Sequence, residues 1–197
     1  DIDRWVIENA LADLARYKVE RPDLKFSINV TGSTLLDDTF AAYVAHVLRR
    51  YGVSPSSVVL EITEQVAISG ASTNSQIKDL ANMGLEFAVD DFGTGYSSLS
   101  YLKRLPVQYI KIDGTFIRKL ADNEIDQTIV RAIADIARIM GKKTVAEFVG
   151  DENTLDTIRD IGIDYAQGSL VGEPDDILRT EFQVADIIDF ARKTANR

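Results

Sequence analysis

The sequence predicts an α/β protein built on parallel strands, either an open or incomplete barrel or a piece of a longer one. Three observations lead there. Short apolar runs alternate with amphipathic helical patterns, which is the signature of parallel strands joined by right-handed crossovers. Six strand–helix units can be counted in the 197 residues, whereas a closed barrel of this type needs eight strands and about 250 residues. Polar residues recur at or near the C-terminal ends of the predicted strands.

The elements follow in order. DIDRWVIENALADLARY is an amphipathic helix without a signal-peptide layout, and a start on a helix places the missing strands upstream. KFSINV (25–30), SVVLEI (57–62), LEFAVD (85–90), YIKI (109–112), KTVAEF (143–148) and DYAQGSL (164–170) are rich in Val, Ile, Phe and Tyr and read as strands. In QTIVRAIADIARIMG, Ile129, Ile133, Ile136 and Met140 share one helix face, and Gly141 is the expected stop. Leu155, Ile158 and Ile161 do the same in ENTLDTIRDIG, which Gly162 ends. SSLSYLKRL reads as a helix capped by Ser97 and Ser98. TEFQVADIIDFARK places Val184, Ile187, Ile188 and Ala191 on one face of a last outer helix, at about 180–195. A single domain over 1–197 is expected, its barrel part running to about residue 174.

Composition narrows the chemistry. No cysteine is present, which excludes disulfides and thiolate metal sites and fits a reducing, cytoplasmic compartment. The single histidine, His46, lies in the helical stretch AAYVAHVLRRYG and reads as a helix-face residue. A metal here must therefore be held by oxygen, which favours Mg²⁺, Mn²⁺ or Ca²⁺ over Zn²⁺. The net charge of −9 argues against a protein that coats DNA, but not against a nucleotide substrate, since a bound cation inverts the local field of an acidic pocket. No apolar run approaches the ~18 residues of a membrane span.

Asn29, Glu61, Asp90 with Asp91, Lys111 with Asp113, Glu147 and Gln167 fall at strand ends. In a parallel α/β barrel these ends gather on the face that carries the active site. Clustered carboxylates repel one another, and divalent cations relieve that repulsion. Adjacent acids such as Asp90 and Asp91 suit two ions, which can clamp the attacking and leaving oxygens of a phosphoryl displacement. Lys111 alternates with Ile110 and Ile112 and so points away from them; there it can orient a nucleophile or stabilise phosphate charge. Taken singly, each residue has a plainer reading. Asp90–Asp91 can be a solvated loop start, Glu61 a surface residue, Asn29 a helix cap, and Lys111 an inert partner of Asp113. Polar residues at six successive strand ends are harder to assign to surface chance, because inward positions of barrel strands are normally apolar.

LEITE (60–64), DDFGTGYSSLSYL (90–102), IKID (110–113), VAEFV (145–149) and AQGSLVGEP (166–174), with SINV (27–30) and the opening helix, closely resemble the EAL domains of bacteria. The resemblance implies a TIM-like (β/α) barrel of the EAL type, incomplete at its N-terminus. It implies hydrolysis of cyclic di-GMP to linear pGpG with two Mg²⁺ or Mn²⁺ ions. Matched by motif, Asn29, Glu61 and Asp90 would hold the first ion, and Asp90, Asp91 and Glu147 the second. Lys111 would position the attacking water, with Asp113 close by and Gln167 supporting the site. Glu64 would steady the loop from Phe92 to Ser98, which in the family leads to a dimer interface. A homodimer through the loop and helix after Asp91, upstream sensory or cyclase domains, and cytoplasmic placement, alone or beneath a membrane-anchored parent, are implied as well.

Three departures qualify this. The Glu-Ala-Leu motif and the substrate-binding arginine after it are absent, so no substrate-binding residue is assigned. Gly150 stands where the family usually has an acid, and Ser169 and Glu173 stand where it has tyrosine and arginine. Two readings follow: a phosphodiesterase, or a degenerate EAL domain that acts as a cyclic di-GMP receptor or regulatory module. The retained ligand set favours the first; Gly150 and the missing strands favour the second. A Mg²⁺-dependent, proton-abstracting enzyme would also suit carboxylates and a lysine at strand ends, but the motifs outweigh it.

Overall fold

In the computed structural model, which describes residues 2–95 and 99–173, strands and helices alternate along the chain. Two compact units divide it: Asp1–Asp90 with Gly95–Gln108, and Asp91–Thr94 with the described residues from Tyr109 on.

The first unit opens with α1 (Ile2–Tyr17), which buries Ile7, Leu11 and Leu14 at helical spacing. Strand β1 (Phe26–Asn29) follows, then α2 (Gly32–Leu35), capped by Thr31, and α3 (Phe40–Tyr51). Helix α3 buries Phe40, Val44, Val47 and Leu48 and ends at left-handed Gly52; His46 is exposed on it, as expected. Strand β2 (Val58–Thr63) is buried from Val58 to Ile62, as a parallel strand covered on both faces must be. Helices α4 (Glu64–Ile68) and α5 (Ala71–Asn82) lead to β3 (Glu86–Phe92). β1 pairs with β2 and β2 with β3, both parallel.

The second unit holds β4 (Tyr109–Ile112), α6 (Gly114–Ile117), α7 (Glu124–Ile139), β5 (Lys143–Ala146), α8 (Glu152–Ile161) and β6 (Tyr165–Ala166). β4–β5 and β5–β6 are parallel. Asn123 and Asp151 cap α7 and α8 through their side chains, and Gly141 and Gly162 follow both helices in the left-handed conformation the sequence predicts. The core joins Ile112, Ile117, Val130, Ala134, Ala146, Val149, Ile158 and Ile163.

Four expectations need adjusting. The buried line of α7 is Val130, Ala134 and Ala137, with Ile129, Ile133, Ile136 and Met140 half-buried beside it. The fully buried line thus runs through small residues, while Ile133 packs against the core from its edge. Strand β5 stops at Ala146 rather than Phe148, because Phe148 itself is left-handed at φ 56°. Strand β6 is shorter than 164–170 for a steric reason. Gly168 (φ 154°) lies so close to the segment that follows β5 that a Cβ would sit 2.3 Å from Val149 N, and the chain then turns, with Val171 and Gly172 N–H both donating to Gly168 O. After the loop, Leu99–Lys103 is a short 3₁₀ helix. The Ser97 and Ser98 caps and the helix at 180–195 lie outside the described residues.

Gly168→Ala is expected to destabilise the chain by more than ~2 kcal/mol, since overpacking alone costs about 1–3 kcal/mol. Gly150→Ala should change stability by less than ~1 kcal/mol, because its Cβ would meet only Ser169 Oγ at 3.7 Å and Phe148 O at 3.9 Å. Urea denaturation of the two variants checks the contrast.

Candidate active site

In the first unit the strand register places the candidate residues. Asn29 pairs with Glu61, and Glu61 with Ala88. Asp90 lies two residues beyond Ala88, so Asn29, Glu61 and Asp90 occupy the same face of the pleat. Val30 N–H donates to Glu61 O at 2.9 Å, which extends the ladder past Asn29. Glu61 is buried and Asn29 exposed. Asn29 does not cap α2; Thr31 does. Glu64, also buried, starts α4 and accepts the Tyr101 hydroxyl at 3.2 Å. Burial first, and then the neighbouring Glu64 carboxylate, hold the Tyr101 phenol above its usual range. Since Tyr101 belongs to the 3₁₀ helix after the loop, Glu64 grips the segment that follows DFGTGYSS.

In the second unit the contacts are direct. Lys111 pairs in register with Val145, and Glu147, two residues further on, falls on the same face. Lys111 Nζ lies 2.8 Å from Glu147 Oε1, with both side chains less than a tenth exposed. Glu147 is thus an ion-pair partner of Lys111. Asp113 instead caps α6, its Oδ1 accepting Thr115 N–H at 2.8 Å. Asp91 and Glu147 present carboxylate oxygens within 4.8 Å of each other, and Asp90 precedes Asp91 on the same strand. Gln167 is exposed at the end of β6, its N–H donating to Ala146 O at 2.8 Å.

Among the described residues two that are not glycine adopt positive φ, Asp91 at 53° and Phe148 at 56°. One is a candidate ligand and the other directly follows one. Strain of this kind persists only where the surroundings impose it. Around Phe148 the packing is close: its ring leaves no room for a side chain on Gly114, whose Cβ would sit 2.2 Å from Cδ2, and the Arg118 guanidinium lies over the ring at 3.9 Å. Gly114, Arg118, Phe148 and Tyr101 escaped the sequence reading. A glycine directly after IKID and an aromatic directly after Glu147 were the available signals.

The donors at Asp91 and Glu147 are carboxylate oxygens, a donor set that favours hard divalent cations such as Mg²⁺, Mn²⁺ or Ca²⁺ over softer ions.

The model of the family described as EAL domain matches residues 1–174. The chain belongs to the EAL family. Cyclic di-GMP phosphodiesterase PdeB of Shewanella oneidensis is 39% identical over 175 residues, 88% of this chain and 20% of that protein. Probable cyclic di-GMP phosphodiesterase PdeA of Escherichia coli is also 39% identical, over 87% of this chain and 24% of that protein. The chain thus spans about a fifth to a quarter of these curated relatives. Among solved structures, the PaMucR phosphodiesterase in complex with c-di-GMP matches at TM-score 0.84 and 35% identity, covering 88% of this chain and 71% of that one. The EAL domain of Mycobacterium smegmatis DcpA matches at TM-score 0.83 and 38% identity, covering 88% and 79%. The fold is accordingly the barrel-like fold of EAL domains, with six strands among the described residues.

Lys111→Met or Glu147→Leu alone is expected to cost about 3–5 kcal/mol, because each leaves a buried charge without its counter-charge. The double variant should recover most of that loss, which urea denaturation of all three variants will show.

Proposed function

We propose that this chain is the greater part of a single EAL-type phosphodiesterase domain that hydrolyses cyclic di-GMP to linear pGpG with Mg²⁺ or Mn²⁺. The supporting observation is the buried Lys111–Glu147 pair beside Asp91, in the motifs IKID, VAEFV and DDFGTGYSSL. Asn29, Glu61 and Asp90 are the proposed ligands of one ion, and Asp91 and Glu147 of another. Bound there, the cations would neutralise the carboxylates and stabilise charge developing on the phosphoryl group. Water adds to one phosphorus, one P–O ester bond breaks, and the freed sugar oxygen takes a proton, which leaves a linear dinucleotide with one terminal phosphate. Lys111, fixed by Glu147, orients the attacking water and sets a positive charge beside the phosphoryl oxygens. Glu147 holds Lys111 as well as serving as a ligand. Asp113 supports the site by fixing the turn after β4, and Gln167 borders it. Glu64 acts through Tyr101 on the loop after Asp91, where a homodimer contact and coupling to upstream sensory or cyclase domains are proposed. Among the described residues no helix is long and apolar enough to cross a membrane, and cytoplasmic placement belongs to the same proposal.

One observation favours a second reading, a cyclic di-GMP receptor without turnover: Gly150 offers no side chain where the motif normally has an acid. Incubation with cyclic di-GMP and Mn²⁺ separates the two. The phosphodiesterase reading expects pGpG, lost with EDTA or in Asp90→Asn. Tight binding without product would favour the receptor.

A further inference from the structure

The turn that follows Asn29 is held by backbone bonds of its own, Thr34 and Leu35 N–H both donating to Thr31 O at 3.2 Å, and by shorter side-chain bonds from α1. Helix α2 has only four residues, too few to be stable alone. Its cap is loose, since Thr34 N–H reaches Thr31 Oγ1 at 3.4 Å, beyond the usual range. The strong contacts come from α1. Asp3 Oδ2 accepts Thr31 N–H at 2.9 Å, the Thr31 hydroxyl at 2.7 Å and the Thr34 hydroxyl at 2.6 Å. Hydrogen bonds to an ionised carboxylate are about twice as strong as neutral ones. Partial burial pushes the Asp3 carboxyl up, but these bonds outweigh it and hold it below the usual carboxylate range. Asp3 is itself fixed from the adjacent residue. Arg4 donates to Asp37 Oδ2 and to Thr39 Oγ1, both at 2.6 Å, and its carbonyl accepts the Tyr43 hydroxyl at 2.8 Å.

We infer that Asp3 is a positioning residue for Asn29: it locks the Val30–Thr34 turn to α1 and so fixes Asn29 beside Glu61. The inference rests on the phosphodiesterase reading for the role of Asn29, though not for the hold on the turn. It places the first turn of α1, remote from the acidic motifs in sequence, in support of one proposed ligand.

Two readouts on the full chain test it. Amide hydrogen exchange at Val30 and Thr31 reports the hold on the turn, and calorimetry with Mn²⁺ reports the ligand set. Asp3→Ala should speed exchange at both amides ~10-fold relative to the rest of the first unit. It should weaken Mn²⁺ binding about 10-fold, as loss of an outer-shell partner does. Asp3→Asn, which keeps an acceptor oxygen, should lie between. Val44→Ala, a core variant on α3, should lower stability without either local effect. If Asp3→Ala fails to fold, Thr34→Val removes one of the three bonds and should shift both readouts in the same direction. Unchanged exchange at Val30 and Thr31 in a folded Asp3 variant overturns the proposal, as does an equal local effect in Val44→Ala. Locally faster exchange in Asp3→Ala, with no Mn²⁺ binding by the unsubstituted chain, upholds the hold of Asp3 and removes the metal reading of Asn29 instead.

Discussion

A carboxylate taken out of water costs several kcal/mol unless a positive charge meets it, and the second unit is arranged around that constraint. Glu147 is buried, and Lys111 is buried against it. The pairing is enforced by register: β4 and β5 lie parallel with Lys111 opposite Val145, so a residue two positions on must share the lysine's face. Asp91, with an oxygen within 4.8 Å of Glu147, adds a second carboxylate to the same place, a donor pair that suits a divalent cation.

The backbone around these acids is shaped as tightly as their charges. Asp91 and Phe148 both take the left-handed conformation, which an ordinary residue adopts at an energetic cost. Phe148 is closely packed, its ring lying over Gly114, which has no side chain, with the Arg118 guanidinium above it. The chain turns there, just past Glu147 and the end of β5 at Ala146, and the following segment lies against the residues after β6, where Gly168 must also lack a side chain. A short strand, two glycines and one strained aromatic are thus parts of one device that ends the ladder beside a buried acid.

Much of this was legible in the residues. Strands starting near 26, 58, 86, 109, 143 and 165 follow from Val- and Ile-rich runs, and the helix stops at Gly141 and Gly162 from the absence of a Cβ. The strand-end acids could be picked out because period-two alternation fixes which residues share a face. The choice of partner was not legible. Lys111 is separated by one residue from Asp113 and by thirty-five from Glu147, and only the register decides for Glu147. The capping role of Asp113 was not legible either: a carboxylate just before a helix also meets the exposed N–H groups of the first turn. The buried line of α7 was displaced because counting large side chains misses small residues that are buried. Asp3 was invisible, since its partners Thr31 and Thr34 carry no motif and lie about thirty residues away.

A crystal structure of the chain grown with Mn²⁺, with anomalous scattering recorded, bears most directly on the central claim. The account predicts a Mn²⁺ ion within coordinating distance of both Asp91 and Glu147, with Lys111 still against Glu147. A difference map with no anomalous peak there, and with Asp91 turned into solvent away from Glu147, would contradict it.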